Sequence, residues 1–167
     1  MAQTLAIVEI MAILRETPGR LAALTEPLTA AELHAPPAPD SWSVNDVLAH
    51  LRACHDVLGG NALRILAEDH PSWKGMSPRA WLKHTDYPTW SFRDAFQAFR
   101  RQRAELLAVL EPLPPEAWER TATVTGMIGE TYEYSARYYA AWMAGHERTH
   151  LKKLPKLIAA VVRDGPG

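Results

Sequence analysis

Proline placement constrains this sequence more than any other feature. Pro36, Pro37 and Pro39 precede one long apolar-periodic stretch, Pro71, Pro78 and Pro88 follow it, and Pro112, Pro114 and Pro115 close the next. An interior proline removes a helix hydrogen bond and clashes with the preceding turn, so these clusters mark connections rather than helix interiors. Four stretches of helical length lie between and around them. They predict an all-α fold, a four-helix bundle, organised as a single domain over residues 1–167.

The first stretch runs roughly from Leu5 toward Leu28, with Thr17, Pro18 and Gly19 interrupting it. Thr17 capping a new helix with Pro18 at its first position would divide the region in two; a kinked rod would keep it whole. Whether Met1 to Glu16 is a separate helix is therefore open. The second helix is predicted from about Val44 to Asp69: Ser43 and Asp46 have capping-box spacing, and Trp42 is placed for a hydrophobic staple. His70 to Trp90 reads as a long connection with one helical turn near Pro78 to Lys83. Ser91 and Asp94 repeat the cap before a third helix that ends at Pro112. Thr121 to Gly126 is extended or irregular, and Thr131 to about Leu154 reads as the fourth helix. Pro155 is expected to stop or bend it, leaving Leu157 to Val162 as a short extra C-terminal helix.

Composition narrows the partners. Lys and Arg number 18 against 19 Asp and Glu, so no net field steers the chain toward nucleic acid or an anionic membrane. The basic groups Arg100, Arg101, Arg103 and Lys152, Lys153, Lys156 read as solvated helix faces. Glu9, Arg15 and Glu16 break the early apolar run, which predicts no leader or membrane span and, by default, a cytoplasmic location. Cys54 is the single cysteine and reads as core filler beside Leu51, Val57 and Leu58.

Chemistry is concentrated in histidine. His146 and His150 lie four residues apart, about 6 Å along one helix face, from which both rings can converge on one ion. His50 is the best third ligand, because it lies on the apolar stripe of the second helix, where an unpaired ring is costly. Three neutral imidazoles suit a divalent ion with one position left open. His34, His55, His70 and His84 read as structural or solvated, with His84 able to reach a pocket mouth. The segment His146, Glu147, Arg148, Thr149, His150 also has zinc-peptidase spacing, with Glu147 as general base. No His or Glu follows His150 to complete such a site, and Asp164 lies in the tail, so the peptidase reading is disfavoured.

Trp42 to Leu51, taken with His146 to Leu154, resembles the DinB-like (DinB/YfiT-type) superfamily, and the resemblance extends over nearly the whole chain. It implies up-down-down-up connectivity and a metal pocket at one end, with His50, His146 and His150 as ligands of one divalent ion, zinc or nickel. Glu147 departs from many relatives and is expected to point away from the metal; Asp46 either orients a ligand or is taken up by the cap. The resemblance further implies a homodimer and a small-molecule substrate, with thiol-dependent S-transfer on a low-molecular-weight thiol as the main expectation. A metal-containing binding or structural protein and a metal-dependent hydrolase are the alternatives. Tyr134, Tyr138, Trp142, Trp81 and Trp90 are either bundle core or pocket lining, and Arg100, Arg103 or Arg137 is placed to hold a substrate carboxylate.

Overall fold

The computed structural model describes residues 5–163. Thirteen elements follow in order: α1 (Ile7–Thr25), α2 (Ala30–His34), α3 (Val44–Cys54), a π-helical turn (His55–Gly59), α4 (Gly60–Ala67), β1 (Ser72–Lys74), α5 (Pro78–Leu82), a 3-10 turn (Tyr87–Thr89), α6 (Phe92–Leu110), α7 (Pro115–Trp118), β2 (Thr121–Thr125), β3 (Thr131–Ser135) and α8 (Ala136–Arg163). The helix bundle is formed by α1, the α3–α4 rod, α6 and α8, with α1 packed on α6 and α8 and α3 also packed on both. No helix among the described residues is long and apolar enough to cross a membrane.

The first helix is one rod. Pro18 lies inside it, and Thr17, rather than capping a new helix, donates its hydroxyl to the Ile13 carbonyl at 2.8 Å. A proline at position 18 supplies no N–H to the Leu14 carbonyl four residues back. That carbonyl instead accepts a 2.9 Å hydrogen bond from Arg103 Nη1 on α6. Continuation of the helix through Pro18 thus relies on a donor from another element. Residues Met1 to Thr4 lie outside the described residues, as does Asp164.

Two expectations need correction. Thr131 to Ser135 is a strand, because Thr-Tyr-Glu-Tyr-Ser alternates polar and aromatic residues with period two and finds a partner in Thr121–Thr125. With β1 parallel to β2, the two form a small three-stranded sheet in the order β1-β2-β3, so the fold is a helix bundle with a sheet appended. Ala122 and Val124 of β2 turn inward and the intervening threonines outward, the period-two pattern of a strand with one covered face. Finally, α8 passes through Pro155 to Arg163, so Leu157 to Val162 belong to it rather than to a separate helix. The Pro155 ring is exposed, whereas Leu154 and Val161 are buried, so packing on that face holds the helix together across the lost hydrogen bond.

Two apolar clusters fill the bundle. One gathers Leu14, Leu106 and Leu110 with Cys54, Tyr139 and Ala144; the other gathers Leu21, Phe99, Leu48 and Leu51 with Leu151 and Leu154. Along α6 and α8 the polar residues Arg103 and Glu147 fall between the two clusters. The long connection before α6 is clamped to the rod through Asp56, which accepts hydrogen bonds from Trp81 Nε1, the Tyr87 hydroxyl and Gln102. Arg52, 3% exposed, sits in the corner between the Tyr87 and Trp90 rings, its guanidinium 3.8 and 4.4 Å from their centroids.

Truncation of a fully buried leucine measures this core. Leu106→Ala is expected to lower unfolding free energy by about 2–5 kcal/mol, read from urea denaturation followed by far-UV circular dichroism. A loss below about 1 kcal/mol would mean that Leu106 is not packed as described.

Candidate metal centre

His50 extends from the middle of α3, and His146 and His150 extend from successive turns of α8. The three rings meet. Nε2 of His146 lies 2.8 Å from Nε2 of His50 and 3.1 Å from Nε2 of His150, and one nitrogen from each ring falls within 4.8 Å of both others. An sp2 ring nitrogen offers either one hydrogen or one lone pair in its plane. Nε2 of His146 therefore cannot make good hydrogen bonds to both neighbours at once. Three lone pairs directed at a common cation remove that conflict, and ligands 2.0–2.1 Å from a tetrahedral ion would sit roughly 3.3 Å apart, close to what is observed. The three histidines are a potential site for one divalent ion.

Electrostatics keep the rings in the ligating form. Burial pushes His50 down to about 4, reinforced by the neighbouring His146 and by Arg79; burial, His146 and His50 do the same for His150. His146 is lowered chiefly by burial, then by Arg79 and Lys153. At neutral pH all three are uncharged, as metal ligands must be.

Trp42 completes the wall. Its ring stacks on His150 (centroids 6.4 Å apart, planes at 16°) and lies 5.0 Å from His50, while the Arg79 guanidinium is 5.3 Å from the Trp42 centroid. The sequence places Trp42 as a helix staple; its contact with the histidines depends on the path of the Pro-rich segment. Nothing in the sequence singles out Arg79, which is brought here by α5 packing on α3. Beyond Trp42, a cavity of about 530 Å³ opens with His150 in its wall, lined by Val47, Leu154 and Leu157, with Lys153 and Lys156 among its polar groups. One side of the centre is therefore reachable.

The two carboxylates considered as supporting groups are engaged elsewhere. Asp46 accepts from the Ser43 N–H at 2.9 Å while its own N–H donates to Ser43 Oγ, a completed capping box. Glu147 points away from the histidines, as expected, and into the core, where it is 0% exposed and ion-paired with Arg103, itself 1% exposed. Locked in that pair, Glu147 cannot act as the general base of a peptidase. Arg103 is thus neither a solvated cation nor a substrate clamp. Arg137 bonds Glu119 and the Leu5 carbonyl, and Arg100 lies over the Phe96 ring.

The other histidines stay apart from the cluster. His34 accepts the Phe92 N–H, His70 bonds Thr121 and Thr123, and His84 is exposed. His55 is buried on the π turn against Phe99, and burial followed by the charge of Arg103 lowers it to about 4. Cys54 is buried core as expected, with its Sγ 3.6 Å from Nε2 of His50.

Two outcomes follow from these buried charges. Glu147→Gln leaves Arg103 buried without a counter-charge and is expected to cost about 3–5 kcal/mol of stability; a change within about 0.5 kcal/mol in urea denaturation would place Glu147 on the surface instead. In the metal-free protein, His55 is neutral when folded but titrates near 6.5 when unfolded, so the unfolded state binds more protons below that pH. Its contribution is fully present above about 6.5 and is lost as pH falls toward 4, with a slope of up to about 1.4 kcal/mol per pH unit. Denaturation at pH 7, 6 and 5 under chelator should show a shallower slope for His55→Gln by about one proton, and identical slopes would refute the assignment.

Comparison with known proteins supplies the lineage. The sequence model of the DinB superfamily matches residues 13–154. Among solved structures the chain is similar to YfiT from Bacillus subtilis, described as a probable metal-dependent hydrolase with an unusual four-helix bundle topology, at 19% identity and a TM-score of 0.72, covering 90% of this chain and 85% of that one. No curated protein matches. At that identity the structural likeness speaks for the fold, whereas the sequence match spans the rod with His50, α6, and the stretch of α8 with His146 and His150. On that match, the chain belongs to the DinB superfamily.

Proposed function

We propose that the protein is a metal-dependent hydrolase of a small molecule, with His50, His146 and His150 as the ligands of one divalent ion, zinc or nickel. The observation that carries the reading is the convergence of three uncharged imidazoles beside a cavity in whose wall His150 stands. A closed structural site would be capped by a fourth protein ligand; this centre faces open space on the Trp42 side. The description of YfiT as a probable metal-dependent hydrolase supports the same class. When bound, such an ion supplies Lewis-acid activation of water, a carbonyl or a thiol.

The chain's own residues do the rest. Trp42 and Leu157 offer an apolar seat for the substrate body, and Lys153 and Lys156 attract an anionic substituent. Arg79 and Lys153 disfavour protonation of the imidazoles and so hold them available. Glu147, through Arg103, sets the rotation of α8 that turns His146 and His150 toward His50.

One observation favours thiol-dependent S-transfer as a second reading. The two carboxylates nearest in sequence to the histidines are committed, Asp46 to a cap and Glu147 to Arg103, so neither is free as a general base. A cosubstrate thiol would bring its own nucleophile. A homodimer, which the family likeness suggests, and a cytoplasmic setting, the default for this sequence, complete the proposal.

Native elemental analysis is expected to find about one ion per chain in the wild type and essentially none in His50→Ala or His146→Ala; full retention of metal by either variant would refute the ligand set. A panel of small esters, lactones and amides, assayed with and without added thiol, decides the reaction. Hydrolysis independent of thiol supports the main reading. A rate proportional to thiol concentration replaces it with S-transfer, and equal rates for the wild type and His150→Ala would reject catalysis at this centre.

A further inference from the structure

A second cavity, of about 510 Å³, lies between the sheet, α5 and the first turns of α8 and shares no residue with the histidine cluster. Its volume is that of pockets which accept drug-sized molecules. Eight large hydrophobic side chains are well exposed among the described residues, and five of them gather here: Met76, Met127, Tyr132 and Trp142 line the cavity, and Ile128 adjoins Met127. Met127 and Ile128 are 89% and 92% exposed. Isolated exposed hydrophobics need no explanation, but their concentration around one concavity does.

The aromatic wall indicates what would fill it. Tyr132, Tyr134 and Tyr138 form a continuous stack, with centroids 5.6 and 4.2 Å apart and planes within 10° and 5° of parallel. Trp142 packs edgewise against Tyr138 and stacks with Tyr139 at 14°. Within the stack both faces of Tyr134 and one face each of Tyr132 and Tyr138 are spent on one another, so these rings offer chiefly edges, the positive end of the aromatic quadrupole. A cage for organic cations needs the opposite, faces turned inward.

Polar groups at the cavity point the same way. Glu130 is taken up by its own turn, accepting the Ile128 N–H at 3.0 Å. Lys74 makes no ion pair among the described residues, so its ammonium is free to move onto a ligand, whereas the Glu130 carboxylate is fixed in its turn. The Ser77 hydroxyl and the Asn61 amide add neutral donors to the lining.

We infer that this cavity is a binding site for a planar aromatic small molecule carrying an anionic group, its ring set against the Tyr138–Trp142 wall and its charge on Lys74. Tyr138, Trp142 and His146 follow one another at four-residue spacing on α8, so the site lies along the same helix stripe as the histidines. Occupancy itself requires none of the three histidines. Met76 and Met127 at the rim provide flexible lips that adapt to ligands of different outline.

The test uses the full chain under chelator, titrated with 8-anilinonaphthalene-1-sulfonate, with the uncharged N-phenyl-1-naphthylamine and with the cationic acridine orange. Saturable one-site binding of the sulfonate is expected, weakened on the order of tenfold by Trp142→Ala. Lys74→Glu should weaken the sulfonate and leave the uncharged probe unaffected, and the His50→Ala, His146→Ala double variant should bind both as the wild type does, which separates this inference from the metal proposal. Near-UV circular dichroism confirms that each variant retains native packing; because Lys74 is exposed, its variant keeps the test decisive if Trp142→Ala does not fold. Tighter binding of acridine orange than of the sulfonate would overturn the proposal. So would the absence of saturation, or binding that responds to Leu157→Ala beside Trp42 but not to Trp142→Ala or Lys74→Glu.

Discussion

A single buried guanidinium connects three of the four long helices. Arg103 on α6 is ion-paired with Glu147 on α8 and donates to the Leu14 carbonyl on α1, which Pro18 leaves without a helical partner. Each of these groups alone would be costly in an apolar interior; Arg103 donates to both acceptors, and they in turn hold its charge. The arrangement lies where the two apolar clusters meet, so it specifies the relative rotation and height of helices whose leucines alone would tolerate sliding. A proline inside α1, a basic residue in the middle of α6 and an acid between two histidines on α8 are thereby parts of one device.

The metal centre depends on that rotation. On α8 the direction of Glu147 and the directions of His146 and His150 are coupled by the helix: turning the acid into the core turns the flanking histidines toward α3. The rod presents His50 to them, and the π turn immediately after α3 admits one extra residue per turn, placing His55 and Leu58 in the core without moving His50. π-helical turns of this kind are often found beside functional sites. Neutrality of the rings follows from the same burial, with Arg79 and Lys153 contributing charge from outside.

The surroundings of the centre are asymmetric. Beside Trp42 there is an apolar recess with lysines in its lining, next to His150; at the other end of the α8 stripe there is an aromatic corner supported by the sheet. β2 buries its own Ala122 and Val124 against the bundle and pairs with β3, and their hairpin carries the exposed Met127 and Ile128. The bundle thus supplies the rigid donors, while connections and sheet supply the parts that would meet a ligand.

Much of the architecture was legible in the residues themselves. Proline clusters and capping boxes marked the starts of α3 and α6, and the four-residue spacing of His146 and His150 placed two imidazoles on one face because an α-helix has no other way to display them. Local chemistry sufficed wherever the relevant partner lay within one turn. It failed where the partner was distant: Thr131–Ser135 became a strand only because Thr121–Thr125 was there to pair with it, and α8 crossed Pro155 because residues on both sides of the proline found a core. The engagement of Arg103, the positions of Trp42 and Arg79, and the meeting of His50 with two rings 96 and 100 residues away were decided by tertiary packing. Spacing within a helix is set by covalent geometry and backbone hydrogen bonds, whereas the distance between helices is set by which side chains must be buried together.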